Sequence, residues 1–320
     1  MIQPKTIALI ITTGILVSLP HFLNPYWVDV LNNIGIYAIL GLSLNIIVGH
    51  TGLFNLGHAS FYAVGAYTAA ILNTKYQIPI LWLIPVCGLS AGLFAMIIAR
   101  PIIHLRGDYL CIVTIGVNEI VRIALINNVF GLTGGSNGIF GIDRPNVFGM
   151  TIRTPMEFYY LILVFGAVTI FLFRQLEYSR FGRALNYLRE DETAAEGSGI
   201  NTAHYKLAAF VVGAVWAGMV GNIYAAKMTI ISPESFAFWE SVIIFAIVIL
   251  GGSGSIPGVI LGAVLIVGLP ELFRDLASAR MFFFGAAMVA MMIFRTQGIL
   301  PPRPRQYALP QNHASEEGGK

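Results

Sequence analysis

The chain has 320 residues, of which 56% are hydrophobic and 11% charged, with a net charge of +3 and a mean hydropathy of +0.75. A soluble globular chain carries roughly 25% charged residues, so the composition excludes a water-soluble globule. The positive charge sits in loops between long apolar blocks, where it reads as membrane topology and not as a nucleic-acid surface.

A helix crosses the hydrocarbon in about 20 residues, which leaves room for about eight to ten crossings. The fold expected is an all-α polytopic membrane protein. In chain order the apolar runs are Thr6–Leu23, Val28–Val48, Leu56–Leu72, Pro79–Ala99, Asp108–Phe130, Glu157–Phe173, Lys206–Ala226, Phe236–Leu250, Pro257–Leu272 and Arg280–Phe294. The first follows Lys5 and is read as an uncleaved span, since Pro20, His21 and Phe22 make a poor leader-cleavage site. Leu56–Leu72 and Phe236–Leu250 are short and flanked by glycine, the pattern of half-helices or re-entrant segments. Cys87 and Cys111 lie inside apolar runs and read as small packing residues.

With the N-terminus in the cytoplasm, twelve of the 19 Lys and Arg fall on the inside, six outside, and Arg122 within a span. The excess of inside charge places both ends in the cytoplasm. Residues 1–302 form the membrane domain. It carries an external connection at 131–156 and a cytoplasmic one at 176–205. The tail 303–320, rich in Pro and charge, reads as disordered.

Two glycine-rich stretches interrupt the apolar runs. The first, GHTGLFNLGHASF from Gly49, holds Gly49, Gly52, Asn55, Gly57 and His58. The second, LGGSGSIPG from Leu250, holds Gly251, Gly252, Gly254 and Gly258. Irregular backbone at membrane depth is tolerated only where protein or water covers it, so both read as parts or hinges of a transport path. The plainer reading is two tight turns. Their likeness suggests corresponding positions of two pseudo-repeats. The second lacks the Lys and Ser/Thr of a phosphate loop, and His50 and His58 do not have HExxH spacing, so neither an ATP site nor a metal site is expected.

Small residues at Ala59, Ala63, Ala66 and Ala70, and at Gly213, Ala217, Gly221 and Ala225, recur every three or four positions and suit close helix packing. Whether the second stripe serves this chain or a partner is left open by the sequence. Glu119 and Arg122, three residues apart within one run, can pair on one helix face. They read either as a structural ion pair or as a polar lining of the path. The cytoplasmic stretch RALNYLREDETAAE, Arg183 to Glu196, has good helix formers and ends at Gly197 and Gly199.

At these residues the chain resembles the permeases of branched-chain amino-acid (Liv) ABC importers, in particular the LivM type. The resemblance runs from about Ile34 to Pro302. It is carried by Gly49–Leu72, by LRGDY with LTGGSNGI, by REDETAAE with GIN, by ISPESFAFWESVIIFAIVILGGSGSIPG and by RTQGILPP. It implies a bacterial inner-membrane permease subunit that works beside a second, LivH-type permease, two cytosolic ATPases and an extracytoplasmic solute-binding protein. The substrates implied are branched-chain amino acids, the chain itself is no enzyme, and ATP is spent by the partner subunits, with no cofactor here. Membrane lipid is the remaining partner. The REDETAAE segment resembles the family's coupling helix, with Arg183, Arg189, Glu190, Asp191, Glu192, Glu196 and Gly199 as candidate contacts to the ATPase. The general EAA-type coupling motif of ABC importers is matched only loosely around Ala194–Gly199. Related permeases carry urea or short amides, and an ion-coupled secondary transporter is the rival from outside the class. An intramembrane enzyme and a structural scaffold have no motif to support them.

Overall fold

The computed structural model describes residues 14–272 apart from 106 and 148, together with 285, 289, 293 and 298–301. The expected span Arg280–Phe294 and the tail therefore fall outside the described residues or nearly so. Of Thr6–Leu23 only the part from residue 14 is described, and residues 14–22 are helical (α1).

The helices that follow are α2 Pro25–Thr51, α3 His58–Tyr76, α4 Ile84–Ile102, α5 Asp108–Ile126 and α6 Pro155–Tyr178. Then come α7 Arg180–Glu190, α8 Glu192–Gly197, α9 Thr202–Met228, α10 Phe238–Gly251 and α11 Ile256–Ala263. A π-helical turn, Val264–Gly268, joins α11 to α12, Leu269–Leu272. Proline at the first turns of α2, α4, α6 and α11 suits positions whose N–H has no intrahelical partner. Thr154 and Glu157 form a reciprocal capping box at the start of α6.

The fold is all-α and polytopic, but the expected count of crossings is not reached among the described residues. Six segments there are long and apolar enough to cross a membrane: Pro25–Thr51, Ile80–Ile102, Asp108–Ile126, Pro155–Tyr178, Thr202–Met228 and Pro233–Gly251. Two expected spans differ for a physical reason. Pro257–Leu272 lies in the apolar helix Ile256–Leu272, whose 17 residues extend about 26 Å at 1.5 Å per residue, short of the ~30 Å hydrocarbon thickness. The helix α3 carries Asn73, Thr74 and Lys75 in its last turns and is less apolar than the six.

The middle of the bundle is α9, packed against α2, α3 and α4. Its small-residue stripe is used within this chain. A side chain on Gly213 would meet Ser43 O of α2, one on Gly218 would meet Ala91 and Cys87 of α4, and one on Gly221 would meet the α3 backbone. Ala59, Ala63, Ala66 and Ala70 of α3 are wholly buried. Backbones that approach this closely gain dispersion contacts that larger side chains would block. The outward faces of α4, α5 and α6 expose Leu89, Leu93, Ile97, Ile112, Ile120, Val164, Val168 and Phe171, as helices turned toward lipid tails do.

One end of the bundle gathers the long 127–154 connection. The strands β1 Ile139–Phe140 and β4 Ile230–Ile231 pair antiparallel there, as do β2 Asn146–Val147 and β3 Met150–Thr151. Asn73 and Asp143 exchange two hydrogen bonds, of 2.8 and 3.1 Å, that pin the connection to α3. Lys227 pairs with Asp29 at 2.9 Å at the same end. The opposite end carries α7 and α8.

Candidate coupling and translocation site

The first glycine-rich break begins where α2 stops. Gly52 is left-handed at φ 73° and its N–H donates to Val48 O, the αL cap that glycine adopts without a Cβ clash. Residues 52–57 then run irregularly back among the helices, and α3 starts at His58. The break is covered by protein. Asn55 Oδ1 accepts the Gly57 N–H at 2.9 Å, and Thr114 of α5 accepts the Leu56 N–H at 3.2 Å. Ser241 of α10 accepts the Ala59 N–H at 2.9 Å. His58 Nε2 lies 2.7 Å from Ser43 Oγ of α2. A side chain on Gly57 would collide with Thr114 O.

The second break follows α10. Gly252 and Gly254 have φ 119° and 89°, and Ser255 caps α11 by accepting the Gly258 N–H at 3.3 Å. A side chain on Gly251 would strike Gly258 O, and one on Gly258 would strike Gly251 O. The last carbonyls of α10 are satisfied by the chain's far end: Ile299 N donates to Leu250 O at 3.0 Å and Leu300 N to Gly251 O at 3.1 Å. This is the work of the GILP portion of RTQGILPP.

The two breaks touch, although about 200 residues separate them. Gly254 N donates to Asn45 Oδ1 at 2.7 Å, and Gly49 has no room for a Cβ beside Asn45 and Gly254. All nine residues expected to form a path or hinge lie along these two segments, but Gly49 and Gly254 meet at the bundle end, whereas His58 sits beside Ser43.

The stretch expected as one helix, Arg183 to Glu196, is two. Asp191 interrupts it in extended conformation, and its carboxylate accepts the N–H groups of Thr193 and Ala194 at 2.8 and 3.0 Å. An Asp that can cap a new helix competes with continuing the old one. Ser179 caps α7 in the same way. The inner face of α7 buries Gly182, Ala184, Leu185 and Leu188.

Arg189 reaches away from α8 and into the bundle end. Its Nη1 donates to Gly49 O at 2.5 Å and its Nη2 to Ser253 Oγ at 3.3 Å. Asn186 bonds His50 at 3.1 Å. A guanidinium at the carbonyl ends of two helices satisfies orphan acceptors and complements both dipoles. Arg183 instead donates to Tyr178 O at 3.0 Å. Glu192 pairs with the buried Lys206 at 2.5 Å, and Glu196 accepts from Thr202 at 2.6 Å, which fastens α8 to α9. Glu190 is exposed, and Gly199 turns the chain at φ 83°. A cleft of about 500 Å³ opens here, lined by Ile103, His104, Glu192, Glu196, Gly199 and Lys206 among others.

Glu119 and Arg122 pair at 2.9 Å on α5, and Arg122 also reaches Glu234 at 3.1 Å, so the sequence pair is a triad. Another intramembrane carboxylate is absent from the sequence reading: Glu240, whose Oε1 accepts from Tyr37 Oη at 2.5 Å. A single Glu at the head of an apolar run looks like a span boundary. Among the described residues no three His, Cys, Asp or Glu are grouped as metal ligands would be.

A family model described as "Branched-chain amino acid transport system / permease component" matches residues 26–293. The chain is 41% identical over 324 residues to the high-affinity branched-chain amino acid transport system permease protein LivM of Escherichia coli (strain K12), covering 94% of this chain and 76% of that one. It is 27% identical over 258 residues to LivH of the same organism, covering 73% and 80%. To BraD of Pseudomonas aeruginosa it is 27% identical over 296 residues, covering 82% and 91%. No solved structure matches.

Proposed function

We infer, since the chain belongs to the family of permease components of branched-chain amino acid transport systems, that it is the membrane-spanning permease subunit of a branched-chain amino acid ABC importer in the bacterial inner membrane. The observation that carries the mechanism is the joining of α7 to both glycine-rich breaks through Arg189.

In this reading the end with α7 and α8 faces the cytoplasm, where two ATPase subunits bind and hydrolyse ATP. Force applied to α7 and α8 reaches the ends of α2 and α10 through Arg189 and the Asn45–Gly254 bond. The breaks give where the chain is thinnest, and the path along α2, α3, α5 and α10 opens or closes. An LivH-type second permease completes the path, and an extracytoplasmic binding protein delivers the amino acid to the opposite end. Similarity to both LivM and LivH supports the permease pair. The long 127–154 connection, folded on the end away from α7, suits a docking surface for the binding protein.

Affinity purification of the tagged chain from native membranes, with partners identified by mass, tests this assembly. A second permease and two ATPase subunits are expected. Recovery of the chain alone, active in uptake driven by an ion gradient, would favour a secondary transporter instead.

A further inference from the structure

Glu240 sits in the first turn of α10, and its hydrogen-bond partner among the described residues is neutral, Tyr37. Tyr37 lies 12 residues from the start of α2 and 14 from its end, about 18 and 21 Å at 1.5 Å per residue. The carboxylate is therefore close to mid-depth, where an ionised group is costly and marks a substrate or ion pathway. Two cations towards the same end of the bundle are committed elsewhere: Arg122 to Glu119 and Glu234, and Lys227 to Asp29. Among the described residues no cation bridges Glu240.

Its surroundings open outward. Trp239 beside it is exposed, and Glu240 itself is partly so. Ser232 and the single 3-10 turn Pro233–Phe236 lead to it, bearing Glu234 and Ser235. The Phe236 carbonyl takes Asn118 Nδ2 at 3.4 Å, and Asn118 is about 12 Å along α5 from Ile126 at 1.5 Å per residue. A short 3-10 turn leaves backbone groups without intrahelical partners, and at that depth these belong against protein or water, not lipid. A polar strip thus leads from the Arg122 triad down to an unmatched carboxylate.

We propose that Glu240, oriented by Tyr37, receives the α-ammonium of the amino acid as it passes mid-membrane. This rests on reading the chain as a permease for amino acids. An ammonium brings three donors and a full positive charge, which a carboxylate in a low-dielectric path holds far better than a neutral acceptor does.

The test uses the whole complex in proteoliposomes. Glu240→Gln keeps the acceptor for Tyr37 and removes the charge. Leucine uptake per assembled complex should fall about tenfold or more, with assembly intact and partial recovery in Glu240→Asp. A thiol at Trp239→Cys, with Cys87 and Cys111 replaced by Ser, should be shielded from labelling by leucine but not by 4-methylpentanoate, which lacks only the ammonium. Adding Glu240→Gln should abolish that shielding. Unchanged uptake, equal shielding by the two compounds, or no shielding by leucine would overturn the proposal. So would a loss of assembled complex in Glu240→Gln, which would make Glu240 a contact to a partner subunit's cation. Absence of ATP-driven leucine uptake in the parent complex would instead overturn the transport reading itself.

Discussion

At Gly49 a side chain would enter the space held by Asn45 Oδ1 and the Gly254 N–H, the point where the two breaks meet. Gly49→Ala should therefore destabilise the assembled complex by about 1–3 kcal/mol, the usual cost of overpacking. Gly116→Ala on α5, where nothing lies within 4 Å, should be neutral or gain up to ~1 kcal/mol of helix propensity. Thermal unfolding of the two variant complexes checks this, and equal losses would show that the contact at Gly49 is unimportant. The glycines were legible in the sequence as interruptions of apolar runs. Their meeting was not, because Asn45 lies inside an apolar helix with nothing local to mark it as the acceptor for a residue about 200 positions later. Glu119 and Arg122 could be paired from their spacing, but Glu234 could not be added, since it joins them only through the fold.

The α7–α8 pair shows what an element adds. Helix formers predicted one helix, and the N-cap chemistry of Asp191 makes a corner of it. The corner lets α8 hold to α9 through Glu192 and Lys206 while α7 turns Arg189 toward α2 and the second break. Arg189→Ala should leave assembly and ATP hydrolysis near normal but lower leucine moved per ATP about tenfold, a loss expected for a charge-assisted bond of 1.5–3 kcal/mol. Arg189→Lys, with a point charge in place of a fork, should recover only part of it. Arg183→Ala, which loses a bond to Tyr178 O next to its own helix, should change the ratio little. A normal ratio in Arg189→Ala would remove the link from the mechanism. The boundaries of α2, α4, α6 and α9 were within a few residues of the apolar runs because long periodic helices carry their own signal. The run at Phe236 falls in the candidate span Pro233–Gly251, whereas that at Leu56 becomes α3, whose Asn73, Thr74 and Lys75 keep it from being apolar enough to count as a crossing.

For the whole molecule, the Arg-rich side in sequence is the side that carries α7 and α8 in the fold, and the long polar connection is at the other. A thiol at Asn137, exposed in that connection, should react with an impermeant reagent added to intact cells from outside. Reaction only after the membrane is opened would invert the topology. Two permeases, two ATPases and a binding protein make the machine in this account, and this chain supplies half of the path. The most direct measurement is uptake of labelled leucine into proteoliposomes holding the purified complex, with binding protein outside and ATP inside. The account predicts uptake that requires ATP and the binding protein, disappears when this subunit is omitted, and is indifferent to a protonophore. Leucine uptake that proceeds without ATP and collapses with the ion gradient would contradict it.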